Sequence, residues 1–167
     1  LVCGASQGIG EAICFELSNQ GCEVIALART KDKLEKLVSK LPTPGKVLAI
    51  DVSDRNKLKS EIAKFLQSGA IEILVCNSGG PKAGPITEAS EEQFLEGFQN
   101  HVLVNSLLAN LLLPGMKSAR FGRIINIIST SVKIPIANLG VSNTIRAAVA
   151  SWAKTLSLEV GEFGITV

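Results

Sequence analysis

Leu1-Val2-Cys3-Gly4-Ala5-Ser6-Gln7-Gly8-Ile9-Gly10 decides how this chain is read: an apolar strand end runs into three glycines and then into a helical pattern from Glu11 to Asn19. Gly4 lets the backbone turn tightly off the strand, and Gly8 removes a side chain where an anion would approach. Gly10 lets the new helix pack on the sheet with its amides and positive dipole end facing the anion. Strand, glycine turn and helix start in this order make a loop suited to a pyrophosphate, with Ser6 and Ile9 as the remaining loop residues expected against it. The spacing is G-x-x-x-G-x-G and not the commonest G-x-G-x-x-G, so the rest of the chain has to support the reading.

Outward from that loop, short apolar runs alternate with longer amphipathic ones, the pattern of βαβ units in a parallel sheet covered on both faces. Strands are predicted at Leu1 to Cys3, Glu23 to Ala28, Lys46 to Asp51, Ile71 to Asn77, Gly122 to Ser129 and from Ile165. Helices are predicted at Ile9 to Gln20, Lys31 to Leu41, Ser53 to Ser68, Glu91 to Lys117 and Leu139 to Glu162. Thr30, Ser53 and Ser90 are the expected N-caps, the last with Gln93 completing a capping box. The expected fold is α/β, a Rossmann-type doubly wound parallel sheet in three layers, as one domain over residues 1–167. The chain has no initiator Met and stops where a strand begins, so the domain is expected to be incomplete at both ends, its C-terminal part missing.

Composition narrows the function classes. With 46% apolar and 19% charged residues the chain can bury one substantial core. The longest apolar run, Leu107 to Leu113, is interrupted by Asn110 and stopped by Pro114, short of the roughly 18 residues a membrane span needs. A net charge of +2 and 4% aromatics give neither the basic face nor the stacking surface of a nucleic-acid binder. Cys3, Cys14, Cys22 and Cys76 have no paired spacing, and the single His101 cannot complete a zinc set, so no metal is expected. The expected setting is the reduced cytoplasm, with buried thiols and no membrane or nucleic-acid partner.

Ligands of such a sheet sit outside the carboxyl ends of the strands. The second strand ends Leu27-Ala28-Arg29-Thr30, where an acid would select NAD and an Arg accommodates a 2′-phosphate. Arg29, with Thr30 and Lys33 beside it, therefore favours NADP(H) over NAD(H), although a solvated Arg reads the same way and Gln7 leaves the phosphate without a second charge in the loop. Asp51, with Val52, ends the third strand and either accepts from an adenine amino group or caps the helix from Ser53. Asn77-Ser78-Gly79-Gly80 ends the fourth, where glycines let the backbone lie against a ribose and nicotinamide or simply make a turn.

Together these residues resemble the short-chain dehydrogenase/reductase family, of the kind that includes 3-oxoacyl-acyl-carrier-protein reductases. Gly4 to Gly10 is similar to the family's T-G-x-x-x-G-I-G loop with Cys3 in place of Thr, and Asp51-Val52 and Asn77-Ser78-Gly79 stand at its adenine and N-A-G positions. Leu113-Pro114-Gly115-Met116 and Gly122 to Ser129 resemble its "LPxM" and "GRIVNISS" segments. The resemblance implies a small-molecule carbonyl or alcohol substrate and pairing of helices 91–117 and 139–162 into a homodimer or homotetramer. Leu103, Leu107, Leu108, Leu111, Leu112, Ala147, Ala148, Ala150, Trp152 and Ala153 offer apolar surface for such pairing, unless the chain's own sheet absorbs it.

The catalytic positions depart from the family pattern of Ser, Tyr and Lys with a helix Asn. Ser129 matches the Ser, but the Tyr position falls on Ser142 and the Lys position on Arg146, and the chain contains no Tyr. Counting back from Pro114 puts the Asn position at His101, with Asn105 one turn further on. A Ser hydroxyl is a weaker acid than a phenol, and Arg146 holds a permanent charge that can bind ribose but not relay a proton. Two readings follow. In one, the protein is a working NADP(H)-linked oxidoreductase in which His101, or a water it holds, donates the proton along Ser129 and Ser142. In the other, it binds the cofactor without useful turnover, as a sensor or structural partner.

Overall fold

A computed structural model describes residues 1–167. Six parallel strands form one sheet: β1 (Val2–Cys3), β2 (Ile25–Ala28), β3 (Lys46–Ala49), β4 (Ile73–Cys76), β5 (Gly122–Asn126) and β6 (Ile165–Thr166), in the order β3-β2-β1-β4-β5-β6. The helices are α1 (Gly8–Asn19), α2 (Lys31–Val38), α3 (Arg55–Leu66), α4 (Glu91–Phe98), α5 (Val104–Ala119) and α6 (Gly140–Val160). Strand order reverses between β1 and β4, so the crevice for a ligand lies over the carboxyl ends of those two strands. This is the Rossmann-type doubly wound fold the alternation of short and long apolar runs predicts.

The period of two in β2 divides its side chains between two cores. Ile25 and Leu27 join a cluster with Leu58 and Ile62 of α3, Leu108, Leu112 and Met116 of α5, and Leu156 and Val160 of α6. Ala26 and Ala28 face the opposite way, with Val2, Val75, Cys14 of α1, and Leu34 and Leu37 of α2. A strand covered on both faces has no polar side, which is why β2 reads as an unbroken apolar run.

Two of the expected helices differ for local reasons. The third helix begins at Arg55, because the Asp54 carboxylate accepts from the Lys57 amide at 3.1 Å and caps it, in place of Ser53. Thr30 stands at the N-cap of α2 but makes no side-chain cap bond, whereas both halves of the Ser90–Gln93 box are formed. The long helix predicted from Glu91 to Lys117 is interrupted at Gln99–Leu103 by a π-helical segment, and Pro114 sits inside α5 without ending it. Joined, Glu91–Ala119 passes the length and hydropathy test for a membrane span, but its apolar residues Leu108, Leu112 and Met116 are fully buried against the sheet. Leu108 and Leu112 thus belong to the core, and the apolar surface of this helix is carried by Leu95, Phe98 and Leu103.

Candidate active site

The loop Gly4 to Gly10 closes over the carboxyl end of β1. Gly4 and Gly8 take left-handed φ values of 63° and 59°, conformations that disfavour any residue with a Cβ. A Cβ on Gly4 would lie 2.5 Å from the Asn77 carbonyl oxygen, and one on Gly10 would collide with the Gly4 carbonyl oxygen. Gly10 therefore packs on the loop itself and on Asn77, where closeness to the sheet was expected. Nothing lies within 4 Å of a Cβ on Gly8, so that glycine faces open space. Gln7 caps α1 only by position, and its side chain makes no capping bond. The first amides of α1 thus point at the space in front of Gly8 with no side-chain acceptor, a cradle that fits a dinucleotide pyrophosphate. Ser6 is half-buried in this loop and Ile9 is exposed at its rim.

At the outer end of the crevice, Arg29 and Thr30 are exposed just after β2. Lys33, one turn into α2, donates to Gln7 Oε1 at 3.3 Å, which brings a second cation to the glycine loop from an element the loop sequence does not contain. The Asp51 carboxylate accepts from the Ser53 amide at 3.0 Å. That bond and then the Ser53 hydroxyl hold its carboxyl below the usual range against the opposing effect of burial, with Arg29 adding the least. Asp51 therefore shapes a turn before α3 and leaves the helix cap to Asp54; Val52 packs against the core.

Over β4 and β5 the remaining candidates meet around one residue, Ser78. Its hydroxyl shares a hydrogen bond of 2.8 Å with His101 Nδ1, and its carbonyl accepts from Arg146 at 3.4 Å. Arg146 also donates to the Ile127 carbonyl at 2.9 Å, so one guanidinium ties the ends of both strands together. No carboxylate pairs with it; the three ion pairs of the molecule, Lys31–Glu35, Lys46–Glu23 and Lys64–Glu61, are all at the surface. His101 is 2% exposed on the π-helical segment, and burial, then the Arg146 charge, depress its pKa to about 4. It is neutral at pH 7. Burial likewise lowers the pKa of Arg146.

Ser129 Oγ accepts from the Ser131 amide at 3.1 Å, and Ser142 stands half-buried one helical turn before Arg146 with no hydrogen bond of its own. Gly79 is exposed beyond Ser78. Asn105 and Asn126, both shielded, join α5 to β5 through an amide pair at 3.0 Å. Asn126 escapes a reading of the sequence, because its partner is on another element and nothing in the strand pattern marks it. The Ile127 carbonyl as acceptor for Arg146 is equally invisible there. Burial pushes the Cys3 and Cys14 thiols up to about 11, so neither is a nucleophile at neutral pH.

A family model described as short chain dehydrogenase matches residues 1–167. The chain is 34% identical to 3-oxoacyl-acyl-carrier-protein reductase FabG of Haemophilus influenzae, covering all of this chain and 69% of that protein. Among solved structures it is similar to a short-chain dehydrogenase from Streptomyces avermitilis, with a TM-score of 0.93, 31% identity, and coverage of 99% of this chain and 61% of that one. It is also similar to L-sorbose reductase from Gluconobacter frateurii, solved with NADPH and L-sorbose, with a TM-score of 0.90, 29% identity, and coverage of 98% and 64%. The chain thus spans under two thirds of both solved relatives.

Proposed function

Since this chain belongs to the short-chain dehydrogenase/reductase family, we propose that it is an NADP(H)-linked oxidoreductase acting on a carbonyl or alcohol, a 3-oxoacyl or related ketone being the substrate class its relatives favour. The observation that carries the reading is the glycine cradle, open at Gly8 and closed by backbone contact at Gly4 and Gly10. Gly4, Ser6, Gly8, Ile9 and Gly10 would hold the pyrophosphate, Asp51 and Val52 the adenine, Asn77, Ser78, Gly79 and Arg146 the nicotinamide ribose. Arg29, Thr30 and Lys33 would hold a 2′-phosphate, with Lys33 already drawn to Gln7. When bound, the cofactor supplies or accepts the hydride.

In this reading Ser129 and Ser142 form the hydroxyl pair that polarises the carbonyl, and water between them supplies the proton. His101 holds Ser78 in place and does not donate, because a buried imidazole with its pKa near 4 carries almost no proton to give at pH 7. Absence of a positioned acid usually costs on the order of 10² to 10⁴ in rate, so slow turnover is expected. The same features favour a second reading: a neutral His101 and an Arg146 committed to two carbonyls suit cofactor binding in a sensing or structural role. Pairing of helices 91–117 and 139–162 into a dimer or tetramer goes with either, through exposed Leu95, Phe98 and Leu103. One domain, completed by chain outside residues 1–167, and a cytoplasmic setting complete the proposal.

Fluorescence titration with NADPH and NADH tests the cofactor reading. NADPH should bind more tightly, and Arg29→Ala should weaken NADPH roughly tenfold while leaving NADH alone, the worth of a charge-assisted bond to phosphate. Equal affinities for both cofactors in the native chain would end the NADP assignment. Tight NADPH binding with no oxidation of it across ketones, aldehydes and acyl thioesters would select the second reading.

A further inference from the structure

Among Ser78, His101, Ser129, Ser142 and Arg146, only Arg146 is charged at pH 7, and nothing negative answers it. No carboxylate pairs with it. His101 is shifted by burial and then by Arg146, and Arg146 by burial, with no acid acting on either. The bonds of Arg146 go to two neutral carbonyls, Ile127 at 2.9 Å and Ser78 at 3.4 Å. The cofactor assignment leaves the charge unanswered as well, because its phosphates are assigned to Gly8 and Arg29 and a ribose offers only hydroxyls. A half-buried cation without a counter-charge is costly to hold, and an anion brought to it recovers that cost.

The guanidinium is reachable and only partly used. Of its five N–H donors the two carbonyls take one each, which leaves three. A Cβ on Gly80 would lie 3.6 Å from Arg146 Nη2, and one on Gly79 would meet nothing within 4 Å. Both glycines are exposed, so the loop beside this edge of the guanidinium carries no side chain to cover it. On α6, Ser142 precedes Arg146 by four residues, which puts the two on one face with Cβ atoms roughly 5–6 Å apart. Ser142 makes no hydrogen bond of its own, and Ser129 Oγ, which accepts from the Ser131 amide, keeps its O–H free. A carbonyl held by these two hydroxyls therefore stands about one helical turn from an unanswered positive charge.

We propose that the substrate of this site is an oxo acid, its carbonyl at Ser129 and Ser142 and its carboxylate on Arg146. The proposal rests on the oxidoreductase reading above and narrows it from ketones in general to ketones that carry a carboxylate. The carboxylate takes no part in the reaction. In reduction the hydride passes from the nicotinamide to the carbonyl carbon and a proton from water goes to the oxygen, leaving a hydroxy acid and the oxidised cofactor. A guanidinium binds a carboxylate through charge-assisted hydrogen bonds that an ester cannot reproduce, so Arg146 sets specificity.

To test this, 4-oxopentanoate, its methyl ester and acetate are titrated without cofactor into the isotope-labelled protein while the backbone amides of Ser78, Gly79, Gly80 and Ser142 are followed. The oxo acid should shift these resonances and bind roughly tenfold more tightly than the ester, and added salt should weaken the acid alone. Arg146→Gln, checked for folding by circular dichroism, should bring acid and ester together, and Arg146→Lys should keep part of the preference. If the Gln variant does not fold, the native comparison and the Lys variant carry the test. Equal affinities for acid and ester in the native protein, or a preference that survives Arg146→Gln, would overturn the proposal. So would acetate binding as tightly as the oxo acid, which would show a general anion site only. NADPH is titrated separately: its failure to bind would end the cofactor reading, while the comparison of acid with ester still decides this one.

Discussion

Lowering the pH should unfold this protein partly through one side chain, His101. In the folded chain its pKa is about 4 against 6.5 for an exposed histidine, because its place on the π-helical segment is buried and faces Arg146. The folded state therefore refuses a proton that the unfolded chain takes. Stability is fully present above about pH 6.5 and falls as the pH drops toward 4; the difference of about 2.5 pH units corresponds to about 3 kcal/mol once complete, and about 2 kcal/mol by pH 5. Urea denaturation followed by circular dichroism at several pH values between 7 and 5 measures this directly. Because carboxylates also lose favourable contacts in acid, the comparison is with His101→Gln, which keeps polar reach toward Ser78 but cannot titrate. Its stability should fall by about 2 kcal/mol less over the same range. Parallel pH profiles for the two proteins would show that His101 is not the buried neutral group described, and a shifted pH–rate profile in His101→Gln would restore it as a proton donor.

Gly10→Ala should destabilise the fold by about 1–3 kcal/mol, since the added methyl meets the Gly4 backbone and not a flexible side chain. Gly8→Ala should cost only about 1 kcal/mol of backbone strain, its methyl having free space, yet weaken NADPH binding far more than its stability loss explains; thermal melts and cofactor titration separate the two. Asp54→Ala removes the cap of α3 and should lower urea stability by about 1 kcal/mol, whereas Ser53→Ala should change it little. Ser129→Ala should abolish whatever carbonyl reduction the native chain shows while leaving NADPH affinity unchanged, measured by NADPH consumption and fluorescence titration in parallel.

The parallel sheet and the glycine loop are legible in the sequence because each rests on local chemistry, whereas the strand order β3-β2-β1-β4-β5-β6 depends on pairing between distant segments. Apolar runs such as Ile25 to Ala28 are too short for helices and alternate with amphipathic stretches, which marks them as doubly buried strands, and Gly4 and Gly8 sit where a left-handed turn is required. The capping box at Ser90 and Gln93 is local in the same sense. What stays hidden depends on partners distant in the chain. The hydrogen bond of Ser78 to His101 spans 23 residues, and that of Arg146 to Ser78 spans 68. The π-helical segment is hidden too, because Gln99 to Leu103 fits an ordinary helix as well as a widened turn. Without those contacts His101 reads as a free imidazole with an ordinary pKa, which is why the sequence offers it as an acid and its surroundings make it a support. Ser53 competes with Asp54 for the cap, and only the turn that Asp51 makes decides between them.

The contact of Gly4 and Gly10 with Asn77 locks the start of α1 to the end of β4. The two halves of the crevice are then tied to each other, and a side chain added at Gly4 or Gly10 disturbs both together. Arg29 and Lys33 lie outside that lock, one after β2 and the other on α2. An engineer wishing to exchange one nicotinamide cofactor for the other is therefore free to rewrite residues 29 to 33 and should leave the three locked positions as they are.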